Sequence, residues 1–165
     1  MASRPRSAAP AKPLIAYRIA DARHPIFDST GAALIGGRWN SPGHPVIYAS
    51  VSYAGAMLEQ LAHAGTGRVP RNQKAVLIRI PARVSIEERT TAKLPSGWDR
   101  DDTIASRKFG DEWLRRKRSA VLIVPSVIAK YERNLVINPS HAEFRLISVS
   151  RPEPVAWDTR IFKQR

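Results

Sequence analysis

The sequence predicts an α+β fold of mixed, mostly antiparallel β-sheets with few helices. Three observations carry this expectation. Short apolar runs recur at Ile15–Ile19, Val46–Ser50, Ala75–Ile80, Ala120–Val124, Leu135–Ile137 and Phe144–Val149, each of strand length. Helical periodicity is confined to Ser52–Ala64 and Thr103–Lys117. Strand and helix signals do not alternate regularly, which argues against a doubly wound parallel sheet.

Residues 1–13, MASRPRSAAPAKP, are basic and rich in proline and alanine, and they lack the apolar core of a signal peptide. They read as a flexible basic leader, with one domain over residues 14–165. Ile15, Tyr17 and Ile19 alternate with Ala16 and Arg18, so a first strand would turn Arg18 to the face opposite those three. A loop follows through Gly31, Gly36 and Gly37, and then a short strand, Val46–Ser50. In Ser52–Ala64, Ala54, Met57, Leu58 and Leu61 form an i, i+3, i+4, i+7 stripe that predicts the buried face. Ser50 or Ser52 caps the start of this helix and Gly65 ends it. Glu59 falls on another face, with Ser52, Gly55, Ala56 and His63.

Ala75–Ile80 is a strongly apolar strand stopped by Pro81. Arg83–Arg100 reads mostly as loop, with turn signals at Pro95 and Gly97. Thr103–Lys117 predicts a second helix, packing through Phe109 and Trp113, although Gly110 disfavours it. Its basic end, Arg115–Arg118, suits a helix C-terminus. Strands follow at Ala120–Val124, stopped by Pro125, at Leu135–Ile137 and at Phe144–Val149.

Composition bounds the function. A chain of 165 residues suits a single domain, and such a domain buries about 70% of the surface its unfolded chain exposes. With no cysteine, a thiol nucleophile, a disulfide framework and thiolate zinc sites are excluded. No apolar stretch reaches membrane-spanning length, and a cytoplasmic location is expected. The net charge of +13, from 27 Lys plus Arg against 14 Asp plus Glu, favours anionic partners. His24, His44, His63 and His141 show no metal-ligand spacing, and there is neither a P-loop nor a G-x-G-x-x-G fingerprint.

Four residues bear candidate chemistry. Arg38 directly follows Gly36-Gly37, where the backbone can approach a ligand closely and the guanidinium offers a fork of donors to phosphate. Tyr48, on its strand face with Val46 and Ser50, can stack on a ring or donate a hydrogen bond. Glu59 sits beside Gly55 and Ala56, which leave room for a substrate near its carboxylate. Ser126 follows Val124-Pro125 at a strand end, without the G-x-S-x-G context of a hydrolase nucleophile. Each of these has a bland structural reading when taken alone.

Their order and combination resemble a RES domain. The pieces are Gly36-Gly37-Arg38-Trp39-Asn40, Val46-Ile47-Tyr48-Ala49-Ser50 and Ala56-Met57-Leu58-Glu59, then Leu94-Pro95 with Trp98, Val124-Pro125-Ser126, and Asn138-Pro139 with His141 and Phe144. The resemblance spans Tyr17 to Arg160. It implies a fold like that of ADP-ribosyltransferases and a toxin of a toxin–antitoxin pair that consumes NAD by hydrolysis or phosphorolysis, or that transfers ADP-ribose to protein. It also implies an Xre-like helix-turn-helix antitoxin as partner. The family's arginine, glutamate and serine map to Arg38, Glu59 and Ser126, with Arg38, Tyr48 and Glu59 lining the NAD pocket as the catalytic set. Arg18, Trp39, Ser126 and Asn138 are the expected further substrate contacts. NAD is then a substrate, phosphate a possible co-substrate, and no cofactor or metal is expected.

The chemistry agrees with one placed carboxylate. Ordinary glycoside cleavage uses two, one of them protonating the leaving group. Nicotinamide is a cationic ring while bound to the ribose and departs as a neutral molecule, so a single glutamate stabilising the oxocarbenium-like ribose suffices. A nucleic-acid-binding module is the alternative from a different class. It would require basic residues gathered on one face among aromatics, whereas only Arg115–Arg118 form a run. No direct nucleic-acid contact is therefore expected.

Overall fold

The computed structural model describes residues 12–65 and 69–162. Most of the predicted leader lies outside them. Among these residues eight strands form one sheet: β1 (Leu14–Asp21), β2 (Ile47–Ser50), β3 (Gln73–Ile80), β4 (Ile86–Glu88), β5 (Val121–Pro125), β6 (Arg133–Ile137), β7 (Ser148–Val149) and β8 (Glu153–Pro154). The order is β4-β5-β6-β2-β1-β3-β7, with β8 also pairing β3. Among the described residues the strands pair antiparallel except β4 with β5. Among the described residues three α-helices accompany the sheet: α1 (Thr30–Ile35), α2 (Tyr53–Ala64) and α3 (Ile104–Arg116). This is the predicted mixed, mostly antiparallel α+β architecture.

The registers sort side chains onto the two faces. Tyr48 opposes Val136, Ser50 opposes Asn134, and Asn134 also opposes Val124, so these residues share a face with Val46 and Leu122. That face packs a tryptophan-rich core of Trp39, Trp98 and Trp113 with Leu114, Leu122, Val124 and Val136. Beside it, Ala56 of α2 packs with Ile19 and Ala75. The opposite face packs Ile47, Ala49, Ile78, Ile80, Val121, Ile123, Leu135 and Ile137, partly covered by Phe27 and Phe144.

Four details depart from the sequence reading. The buried side of α2 is Gly55 and Ala56, while Ala54 is exposed and Leu58 is 39% exposed. Small residues let the helix lie close to the sheet, and that turns the Glu59 side inward. Ile86–Glu88, expected within a loop, is an edge strand whose parallel partner, β5, is buried from Val121 to Val124. The apolar run from Phe144 is mostly a 3-10 helix, Ala142–Leu146, with only Ser148–Val149 in the sheet. The short helix α1 was not anticipated.

Gly110, the residue that disfavoured α3, is what allows it to dock. A Cβ there would lie 1.8 Å from the Trp39 carbonyl oxygen. The helix therefore rests directly on the backbone of the Gly36–Asn40 loop. One turn further on, Trp113 is fully buried and donates its Nε1–H to Ser119 Oγ at 2.9 Å, so the indole leaves no donor unpaired in the core.

Candidate active site

The site has two halves on one face of the sheet, joined through β2. Tyr48 belongs to the first half and Ser50 to the second. They are two residues apart on one strand and so about 7 Å from each other.

The first half is the glycine-arginine loop. Gly36 has φ of 78°, a conformation that glycine adopts without strain. At Gly37 a Cβ would fall 2.6 Å from the Tyr48 hydroxyl, so the loop backbone lies against the tyrosine ring. The Tyr48 hydroxyl accepts from Trp39 N at 3.0 Å and donates to Asn40 Oδ1 at 2.6 Å. Burial raises the phenol's pKa from its ordinary value, which favours the neutral donor form. Asn40, fully buried, donates from Nδ2 to the carbonyls of Ala32 and His44, each at 2.8 Å. From α3, Arg107 Nε donates to the Gly37 carbonyl at 2.8 Å, while Asp111 accepts from Ser41 N and Ser41 Oγ.

Arg38 emerges from this scaffold. Its Nη1 donates to the carbonyls of Trp98 and Arg100, at 3.1 and 2.8 Å. Among the described residues Nε and Nη2 have no partner, so one edge of the guanidinium is anchored and the rest is available to an anion.

The second half is a polar knot around Glu59. Its Oε1 accepts from Ser126 Oγ at 2.8 Å and from Asn134 Nδ2 at 2.6 Å. The Ser126 hydroxyl also accepts from Ile128 N and Ala129 N, at 3.1 and 3.2 Å. A hydroxyl carries one proton, so these contacts leave that proton for Glu59. Ser50 Oγ in turn donates to Asn134 Oδ1 at 2.9 Å. The start of α2 is fixed nearby, where Ser52 Oγ accepts from Gly55 N and donates to Glu132.

The residues singled out from sequence therefore separate into groups. Glu59 and Ser126 are in direct contact although 67 residues apart. Arg38 and Tyr48 share one scaffold. Tyr48's hydroxyl is committed to that loop, so it positions the arginine half. Trp39 is 3% exposed, stacked on Trp98 and edge-on to Phe109, which is the setting of a packing residue. Arg18 points to the face opposite Tyr17, away from Ser50. There its guanidinium donates to the carbonyls of Ile26 and Tyr48, at 2.6 and 2.8 Å, and burial lowers its pKa. Asn138 lies at the other end of β6 from Asn134, beside Ala120, and its Oδ1 accepts from Ser140 N. That end is about 20 Å along the β5–β6 ladder from Ser126. Asn134 itself was missed. Its signal was a polar residue alternating with Val136 on a strand otherwise apolar on that face.

The RES domain family model matches residues 15–158. A protein named "Prs ADP-ribosylating toxin", from Sphingobium sp., is 39% identical over 141 residues, spanning 84% of this chain and 88% of that one. "Toxin Res" from Photorhabdus laumondii is 31% identical over 156 residues, spanning 92% and 99%. Among solved structures, a chain of the M. tuberculosis MbcT–MbcA toxin–antitoxin complex superposes with a TM-score of 0.71 at 18% identity, covering 87% of this chain and 85% of that one. At that identity the likeness concerns the fold.

Proposed function

The chain belongs to the RES domain family of toxins, and from that premise we propose that it breaks the nicotinamide–ribose bond of NAD. The observation that carries the reading is the Glu59 knot, a carboxylate held on one oxygen by two donors on the same sheet face as the loop bearing Arg38. As the bond breaks, its electron pair moves to the pyridinium nitrogen and neutralises it, and positive charge develops on the ribose. A fixed carboxylate beside that charge is preorganised to stabilise it. Arg38, with one edge anchored on carbonyls, takes the pyrophosphate with the other. Tyr48 holds the loop that presents Arg38. An acceptor oxygen or nitrogen then bonds to the ribose carbon and releases its proton to solvent.

The acceptor is water, phosphate or a protein group. The Sphingobium relative is named for ADP-ribosylation, which supports transfer to a protein as one of these outcomes. The structural neighbour was solved as a toxin–antitoxin complex, and an Xre-like helix-turn-helix antitoxin is the proposed partner here. An acidic segment of that partner would suit a chain of net charge +13.

Nucleic-acid binding is the weaker reading. Within the basic run at the end of α3, Arg115 and Arg116 reach Glu112 and Arg118 reaches Glu87. Among the described residues no group of acidic, histidine or cysteine side chains could hold a metal, and no helix is long and apolar enough to cross a membrane.

The test is nicotinamide release from NAD by purified protein, with and without phosphate and with candidate acceptor proteins. Release that requires phosphate identifies phosphorolysis, and release without it identifies hydrolysis. Labelled ADP-ribose on protein identifies transfer. NAD left intact under all three conditions rejects the proposal.

A further inference from the structure

We infer that Asn134, oriented by Ser50, is a positioning residue that locks Glu59 so that only its Oε2 addresses the substrate. The inference rests on Glu59 being the reactive carboxylate proposed above.

The hydrogen-bond arithmetic is one-sided. Glu59 Oε1 receives both Ser126 Oγ and Asn134 Nδ2, whereas among the described residues Oε2 receives nothing. The orientation of the Asn134 amide is chemically forced. A group 2.6 Å from a carboxylate oxygen must be the NH2 end, since a carbonyl oxygen there would set two acceptors against each other. That turns Oδ1 toward Ser50, whose hydroxyl donates to it at 2.9 Å. Ser50 is 2% exposed and its backbone is fixed in the register with β6, so the orienting hydroxyl cannot drift.

The consequence is directional. Glu59 is on a helix and Asn134 on the sheet beneath it, so the bond ties α2 to β6 at the level of the carboxylate. Both donors approach the same oxygen and neither competes for the second. A glutamate with three side-chain torsions samples many positions when free. Here the carboxylate is pinned through one atom, which leaves the other to meet a ribose hydroxyl or the developing cation.

The experiment compares Asn134→Asp, Asn134→Leu and Ser50→Ala in full-length protein, reading nicotinamide release from NAD over a pH series together with thermal melting. Asn134→Leu removes the donor. Its kcat is expected to fall ~10- to 100-fold, the scale of an angstrom-level misplacement, with KM for NAD changed less than twofold. Asn134→Asp keeps the shape. At neutral pH it sets a carboxylate against Glu59 and activity is lost. As pH falls a proton enters the pair and a neutral carboxyl donates as the amide did, so activity recovers toward wild type. Ser50→Ala, which frees the amide to turn, is expected to show a smaller loss in kcat. A merely structural role for Asn134 predicts no acid rescue.

Wild-type kcat in Asn134→Asp at neutral pH would overturn the inference. So would equal, pH-independent losses in the Asp and Leu variants that simply follow melting temperature. Either result leaves the NAD reading standing if wild-type protein releases nicotinamide. Wild-type protein that leaves NAD intact removes the premise, and both readings fall together.

Discussion

The two halves of the site are held by different physics. The arginine half is held by close packing: α3 against the Trp39 carbonyl across Gly110, and the Gly37 backbone against the Tyr48 ring. Its hydrogen bonds run mostly between side chains and the loop's own backbone, so the scaffold of this half is part of the core. In the glutamate half the carboxylate itself is held by side chains, Ser126 and Asn134 on one oxygen, with Ser50 orienting Asn134 from behind. Placing an arginine costs the fold a rigid loop, while placing a glutamate needs only a few donors. Damage to the scaffold of the first half should therefore appear as lost stability with activity following. Damage to the second should appear as lost activity in a protein that still folds.

The largest expected effect is at Gly110. Gly110→Ala places a methyl group 1.8 Å from a backbone oxygen that cannot rotate away. Destabilisation of about 3 kcal/mol or more is expected, at the upper end of overpacking costs, and denaturant unfolding measures it. A loss under 1 kcal/mol would show that helix and loop are not in rigid contact.

Tyr48→Phe comes next. It strips the partner from Trp39 N and Asn40 Oδ1 at once, an expected cost of about 1–3 kcal/mol for buried unsatisfied groups. The same residue yields a pH prediction. Its folded pKa is raised by burial, so its contribution is fully present below the ordinary tyrosine value near 10. That contribution is lost as pH rises through the higher folded value. Melting curves on the alkaline side should therefore be flatter in the phenylalanine variant than in wild type.

Ser126→Ala sharpens the comparison from the other side. It removes one donor to Glu59 and the acceptor for two backbone N–H groups at the start of a loop. A stability loss of ~1 kcal/mol is expected, together with a tenfold or greater fall in nicotinamide release. Stability loss as large as that of Tyr48→Phe, with activity retained, would place Ser126 in the scaffold instead.

Much of the sheet was legible from the sequence because its inner strands are apolar on both faces. Val121–Val124 is buried throughout, and such a run reads as a strand wherever it stands. Edges were harder. Ile86-Glu87-Glu88 is polar and short, and only its register with β5 makes it a strand. The α2 stripe misled for a related reason. Periodicity weights Leu58 above Gly55, but close helix–sheet contact rewards the smaller residue, and Gly55 is the one buried. Within the site, no spacing rule joins Glu59 to Ser126 across 67 residues. Resemblance to a family joined them, and the fold supplies the contact. Trp39 and Asn138 belong to the same sequence pieces, yet they serve packing and a turn. Asn134 lay outside every recognised piece: its alternation with Val136 marks a polar residue on an apolar strand face but assigns it no chemistry until its neighbours are known.

The most direct test of the central claim is nicotinamide release from NAD by wild-type protein and by Glu59→Gln, with melting temperatures measured on the same samples. The glutamine keeps the shape and an Oε1 acceptor for Ser126 and Asn134, and removes only the charge. Steady release by wild type, a loss of about 100-fold or more in the variant on the scale of preorganised electrostatic groups, and matching melting temperatures are the predicted result. Equal release by the two proteins, or no release by either, would contradict the account.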